Sequence, residues 1–124
     1  AKELDCPVLA LCQLKRPGEG KEDQRPHLED LKWAGEIEQD ADDVLLLYRP
    51  HYYLGRVPED KRGHDWQRAW DSTMNMTEVI IGKNRGGPGA NKVVKVFYDP
   101  ATGTFRDLND PANAAPVQAE LDVG

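Results

Sequence analysis

Two short apolar runs, Val8-Leu9-Ala10-Leu11-Cys12 and Val44-Leu45-Leu46-Leu47-Tyr48, constrain this 124-residue chain more than any other feature. Both are unbroken. A strand with one wet face alternates apolar and polar residues, whereas a continuous run of this length suits a strand buried on both faces. Such strands belong to parallel sheets covered by helices, so the expected class is α/β. Each run reads as a central parallel strand. The first ends in the suddenly polar Gln13-Leu14-Lys15-Arg16, and the second is introduced by Asp40, Asp42 and Asp43.

The remaining segments order themselves around these runs. Ala1–Leu4 reads as the last turn of a helix stopped by Asp5 and Pro7, because proline cannot continue helical hydrogen bonding. Residues 17–27 form a polar loop rich in glycine, proline and charge. Leu28, Leu31, Ala34 and Ile37 recur every three residues, a helical or near-helical face with a break at Gly35. Residues 50–76 make an elongated connector. Trp66 and Trp70 stand there at i and i+4, on one face of a short helix, and packing is favoured over base stacking. Two strand-like stretches, Glu78–Arg85 and Lys92–Tyr98, are joined by Gly-Gly-Pro-Gly-Ala-Asn and read as a hairpin. A turn over Asp99–Gly103 leads to a short strand, Thr104–Leu108, and residues 109–124 are a polar tail. The sum is an α/β sheet with parallel strands and an antiparallel edge hairpin.

Several function classes are set aside by bulk properties. No apolar stretch approaches the roughly 20 residues that span a bilayer, and the N-terminus lacks a signal-peptide pattern, so a soluble cytoplasmic protein without membrane partners is expected. Net charge is −6, with a pI near 5.0 and a mean hydropathy of −0.71. An independent nucleic-acid binder usually carries a basic surface. A loop repeated around a ring needs only a few contacts per subunit and escapes that objection. Cys6 and Cys12 fit no zinc spacing and read as structural thiols, Cys12 packing as a small hydrophobe. His27, His51 and His64 are scattered in polar surroundings with no nucleophile arranged beside them.

Three places could carry chemistry. Gln13 ends a buried run, and ligands of open α/β sheets bind beyond the carboxyl ends of strands. Its amide can sense a phosphate or position a water, or simply close the strand. Lys83 and Arg85 stand two residues apart on one strand face beside Gly86, Gly87 and Gly89. A lysine point charge next to an arginine fork suits a polyphosphate, against the plainer reading of a solvated cationic hairpin. Lys32, Trp33 and Gly35 lie at the helix break, where a cation and free backbone N–H groups can hold a nucleic-acid phosphate, although ordinary surface chemistry explains them equally well. The acidic run Glu36, Glu38, Asp40, Asp42, Asp43 lacks the spacing of a calcium loop and reads as a solvated helix end. No G-x-x-x-x-G-K-[ST] loop occurs, so the chain has no phosphate cradle of that kind.

In this order the segments resemble the C-terminal half of the RecA-like, P-loop NTPase domain of DnaB-type replicative DNA helicases. The carriers are PVLALCQLKR, RPHLEDLKWAGEIEQDADDVLLLYR, EVIIGKNRGGPG and KVVKVFYDPATGTFRDL, together covering residues 1–108 apart from the connector. The resemblance implies a motor domain that hydrolyses ATP with Mg2+ in a hexameric ring, with a nucleotide-binding loop and a magnesium-binding strand preceding Ala1. Gln13 would sense the terminal phosphate. Lys83 and Arg85 would reach a neighbouring subunit's ATP. Lys32, Trp33 and Gly35 would fall in the loop that grips single-stranded DNA. The family usually has Arg-Glu-Ser-Gly there, so Lys32 keeps the charge, Gly35 keeps the backbone, and Trp33 departs. Primase and a helicase loader are the implied partners. Two other readings stand beside this one: a non-catalytic RecA-like remnant that regulates a helicase ring, and a related recombinase ATPase.

Overall fold

The computed structural model describes residues 2–14, 24–31, 36 and 39–114. Its centre is a four-stranded sheet in the order β1-β2-β3-β4, with β1 at Asp43–Tyr48, β2 at Met76–Asn84, β3 at Val93–Asp99 and β4 at Thr104–Asp107. Neighbours in the sheet run antiparallel throughout. The hairpin expected from Gly-Gly-Pro-Gly-Ala-Asn joins β2 to β3. Its geometry reflects its turn residues, since Gly89 (φ 137°) and Asn91 (φ 70°) occupy positive-φ backbone, which glycine and asparagine tolerate best. The second turn closes on Gly103 (φ 67°). There Asp99 accepts hydrogen bonds from the Ala101 N–H and the Thr102 hydroxyl, both at 3.0 Å.

The parallel strands do not appear among the described strand pairs. Val8–Cys12 forms no strand, and Leu9 and Leu11 are 91% and 96% exposed. Among the described strands β1 stands at an edge of the sheet and not at its centre. Its inward residues Val44, Leu46 and Tyr48 are buried, while Leu45 and Leu47 are 61% and 57% exposed. The physical reason is coverage. An apolar run is buried on both faces only where other elements cover both, and among the described residues the face carrying Leu45 and Leu47 is left uncovered. The expected packing of Cys12 fails for the same reason, and both cysteines are free and exposed. Residues 2–5 form turns instead of a helical turn, and Asp5 takes φ 50°.

A small core lies under the inward face of β1. Leu31, Val44 and Leu46 are buried together, with Leu14, Leu28, Ala41 and Ile80 packed around them. Leu28–Asp30 forms a 3-10 turn whose next residue, Leu31, enters this core and bridges Leu14, while Ala34 and Ile37 of the expected face lie outside the described residues. Glu78 sits opposite Tyr48 and is itself buried. Arg25 satisfies both its carboxylate oxygens, Nε to Oε2 at 3.0 Å and NH2 to Oε1 at 3.1 Å, and lies over the Tyr48 ring. That fork-to-fork pairing lets a charge sit inside at tolerable cost.

The connector between β1 and β2 is ordered. Helix α1 spans Pro50–Leu54 with its proline in the first turn, where the missing N–H costs nothing. Helix α2 spans His64–Thr73. The i,i+4 tryptophans stack with ring centroids 5.1 Å apart. The stack continues at both ends, with the Arg62 guanidinium over Trp66 and the His51 ring 3.6 Å from Trp70. The indole N–H of Trp66 donates to the Leu54 carbonyl at 2.9 Å, clamping α2 to the end of α1. Asn75, at φ 59°, stops α2, and its side-chain amide donates to the Tyr98 carbonyl at 3.0 Å. These rings pack within the connector, against each other and against Arg62 and His51. Pro111–Ala114, in the first part of the expected polar tail, forms a short 3-10 turn.

Candidate functional site

The site is built around the β2–β3 hairpin. Residues Arg85–Pro88 at its tip are exposed. Lys83 is the penultimate residue of β2, half-buried and opposite the buried Val44. Register is continuous from Asn84 to Lys83, then slips, so that Leu45 faces Ile81 and Gly82 is left without a partner. The slip is a β-bulge, an extra residue that kinks one strand and re-aims the side chains beyond it. Glycine belongs there because of space. A Cβ at Gly82 would lie 3.2 Å from Cδ1 of Leu46 and 3.5 Å from Cδ1 of Leu28. Since the bulge precedes Lys83, strand alternation from Lys83 to Arg85 is uninterrupted.

Arg85 stands one residue beyond β2, yet its backbone N–H still bonds the Asp42 carbonyl at 2.9 Å. Its guanidinium returns to the same segment. NH1 donates to Oδ1 of Asp42 at 2.6 Å, and NH2 donates to the Gln39 carbonyl at 2.8 Å. The side chains of Arg85 and Asp42 remain 53% and 71% exposed. A guanidinium has five N–H donors, and these two bonds leave donors available to a second group. The surrounding surface is an open groove lined also by Lys2, Glu3 and Asp40.

The other expected site residues fare differently. Gln13 is exposed, next to Leu14 at the rim of the small core, and it does not close a buried strand. Lys32, Trp33 and Gly35 lie outside the described residues. The acidic run, expected to be a solvated helix end, supplies in Asp42 the carboxylate partner of Arg85. Sequence reasoning misses Gln39 and Gly82 as well. Register could have found Asp42, because counting back from Val44 opposite Lys83 sets it across from Arg85. A parallel reading of β1 hides that pairing.

Residues 1–107 match the family model described as the DnaB-like helicase C terminal domain. The chain is 44% identical over 115 residues to the replicative DNA helicase DnaB of Rickettsia bellii, a match covering 87% of this chain and 23% of that protein. It is 43% identical over 88 residues to the replicative DNA helicase DnaB of Geobacillus stearothermophilus, covering 71% of this chain and 16% of that one. Among solved structures it is similar to a DnaB-like replicative helicase described together with its interactions with primase. That likeness has TM-score 0.64 and 39% identity, over 86% of this chain and 22% of the other. The chain thus spans less than a quarter of the length of these relatives. The family match runs through every element from the first turns to β4, and the chain belongs to the family of DnaB-like helicase C-terminal domains.

Proposed function

We propose that this chain is the C-terminal part of the ATP-driven motor of a replicative DNA helicase, a hexameric ring that unwinds duplex DNA. One observation carries the reading. An arginine on an exposed hairpin tip is held by two acceptors of its own chain while further donors stay available. A cation so presented suits the terminal phosphate of ATP bound on an adjacent subunit, the role of an arginine finger. Lys83 would contribute a point charge to the same triphosphate, and Gln13 would relay the state of that phosphate. Lys32, Trp33 and Gly35 would contact the single-stranded DNA, Lys32 through a phosphate and Gly35 through its backbone. Magnesium, when bound, supplies charge neutralisation on the transferred phosphoryl group. Among the described residues no group of three or more His, Cys, Asp or Glu side chains is gathered to hold a metal. Likewise, no described helix is long and apolar enough to cross a membrane. The cytoplasm, with primase and a helicase loader as partners, is the proposed setting.

The test uses the full-length helicase. Arg85→Ala is expected to lower DNA-stimulated ATP hydrolysis by roughly 10³-fold or more, as arginine fingers do elsewhere, and to abolish unwinding of a forked duplex. Mixing Arg85→Ala subunits with subunits unable to bind nucleotide should restore part of the turnover, because the finger of one then serves the ATP of the other. Near-normal hydrolysis by Arg85→Ala, or no recovery in the mixed ring, overturns the trans-acting role.

A further inference from the structure

The contacts of Arg85 point to a residue whose work precedes the chemistry. We propose that Asp42 is the positioning residue for the Arg85 guanidinium, and that with the Gln39 carbonyl it ties the reach of that side chain to the segment just after residues 32–35. The inference rests on the reading of Arg85 as a finger and deepens it.

Three bonds converge. The Asp42 carboxylate takes NH1 at 2.6 Å, the Gln39 carbonyl takes NH2 at 2.8 Å, and the Asp42 carbonyl takes the Arg85 backbone N–H at 2.9 Å. Main chain and side chain are therefore fixed by one short segment, across 43 and 46 residues of sequence. An ion pair this exposed contributes little to stability, since water screens it. Stability is thus a poor account of the arrangement. Orientation is a better one, because a free arginine explores many rotamers and only a few would present its fork to a phosphate held by another subunit. The carboxylate takes a bond from NH1 and the carbonyl one from NH2, which leaves further donors of the guanidinium for another group.

The segment doing the holding is also informative. Gln39 and Asp42 immediately precede β1, Gln39 in a helical turn and Asp42 at the bend next to Asp43. A shift of the Gln39–Asp42 segment would carry both acceptors with it and re-aim the guanidinium.

The experiment compares Asp42→Ala, Asp42→Asn and Arg85→Ala in the full-length helicase, reading DNA-stimulated kcat, KM for ATP and thermal midpoint. Misplacing a reacting contact by about 1 Å can cost roughly 10²-fold, so Asp42→Ala is expected to lower kcat by about 10- to 100-fold with KM nearly unchanged. Asp42→Asn keeps an acceptor oxygen at the same place and should recover most of the loss. Adding Asp42→Ala to Arg85→Ala should cost nothing more, because the two act as a unit. Normal kcat in Asp42→Ala beside a dead Arg85→Ala overturns this inference alone. A normal Arg85→Ala overturns the finger reading beneath it. Equal deficits in both Asp42 variants, with KM and the thermal midpoint moving together, would make Asp42 a structural support and also overturn the proposal.

Discussion

Glycine at position 82 shows how one residue sets the geometry of a site it does not touch. The bulge there puts an extra residue into β2 just before Lys83 and Arg85, over the buried Leu46. An added methyl reduces the freedom of the unfolded chain, which favours folding by about 0.4–1 kcal/mol, but overpacking a close contact costs about 1–3 kcal/mol. The 3.2 Å approach to Leu46, itself only 3% exposed, tips the balance toward overpacking. Gly82→Ala is therefore expected to destabilise the full-length protein by roughly 1 kcal/mol, and Gly82→Val by more, seen as a lower denaturant midpoint. An unchanged midpoint in Gly82→Val would mean that the bulge has room to spare. Nothing local in Ile-Ile-Gly-Lys marks this glycine, because its neighbours Leu28 and Leu46 come from distant segments. The glycines at the hairpin tip are legible for the opposite reason: a turn is written in consecutive residues.

At the scale of elements, the α1–α2 connector is the part most readable from periodicity. Trp66 and Trp70 at i,i+4 had to share a helical face, and the stacked rings are a consequence of that spacing alone. Their ends, Arg62 and His51, come from outside the helix and are not foreseeable. The stack is expected to hold α2 as a locally cooperative unit. Trp70→Ala removes a middle ring, and a half-buried tryptophan should cost about 2 kcal/mol, below the usual 3–5 kcal/mol for full burial. Hydrogen exchange is the measurement that resolves it. Amides of α2 should lose protection while those of β2 and β3 keep theirs, as expected of separate opening units. Uniform loss across the sheet would show that the connector and sheet unfold together.

At the scale of the whole molecule, the apolar surface is distributed unlike that of a finished monomer. Leu9, Leu11, Leu45 and Leu47 all stand more than half exposed, and β1 has one edge unpaired among the described strands. An exposed apolar edge strand is a template for pairing with another chain. Purified as these 124 residues, the protein is expected to self-associate as concentration rises, and the double change Leu45→Lys with Leu47→Lys should suppress it in sedimentation experiments. A chain that stays monomeric at high concentration without the substitutions would contradict this. The α/β class and the parallel strands are inferred from the same leucines, on the sound rule that unbroken apolar runs are buried twice over. Burial on the second face, however, depends on layers that the described residues do not supply. Features that depend on near neighbours are written in the sequence: the hairpin and its glycine tip, the second turn, the tryptophan face, and the motifs that carry family membership. The antiparallel pairing of β1 with β2, the face of β1 that is covered, the place of the bulge and the contact of Asp42 with Arg85 are set by folding contacts between distant segments. Those outcomes depend on register between segments some 40 residues apart, and a one-residue slip in register changes every cross-strand partner.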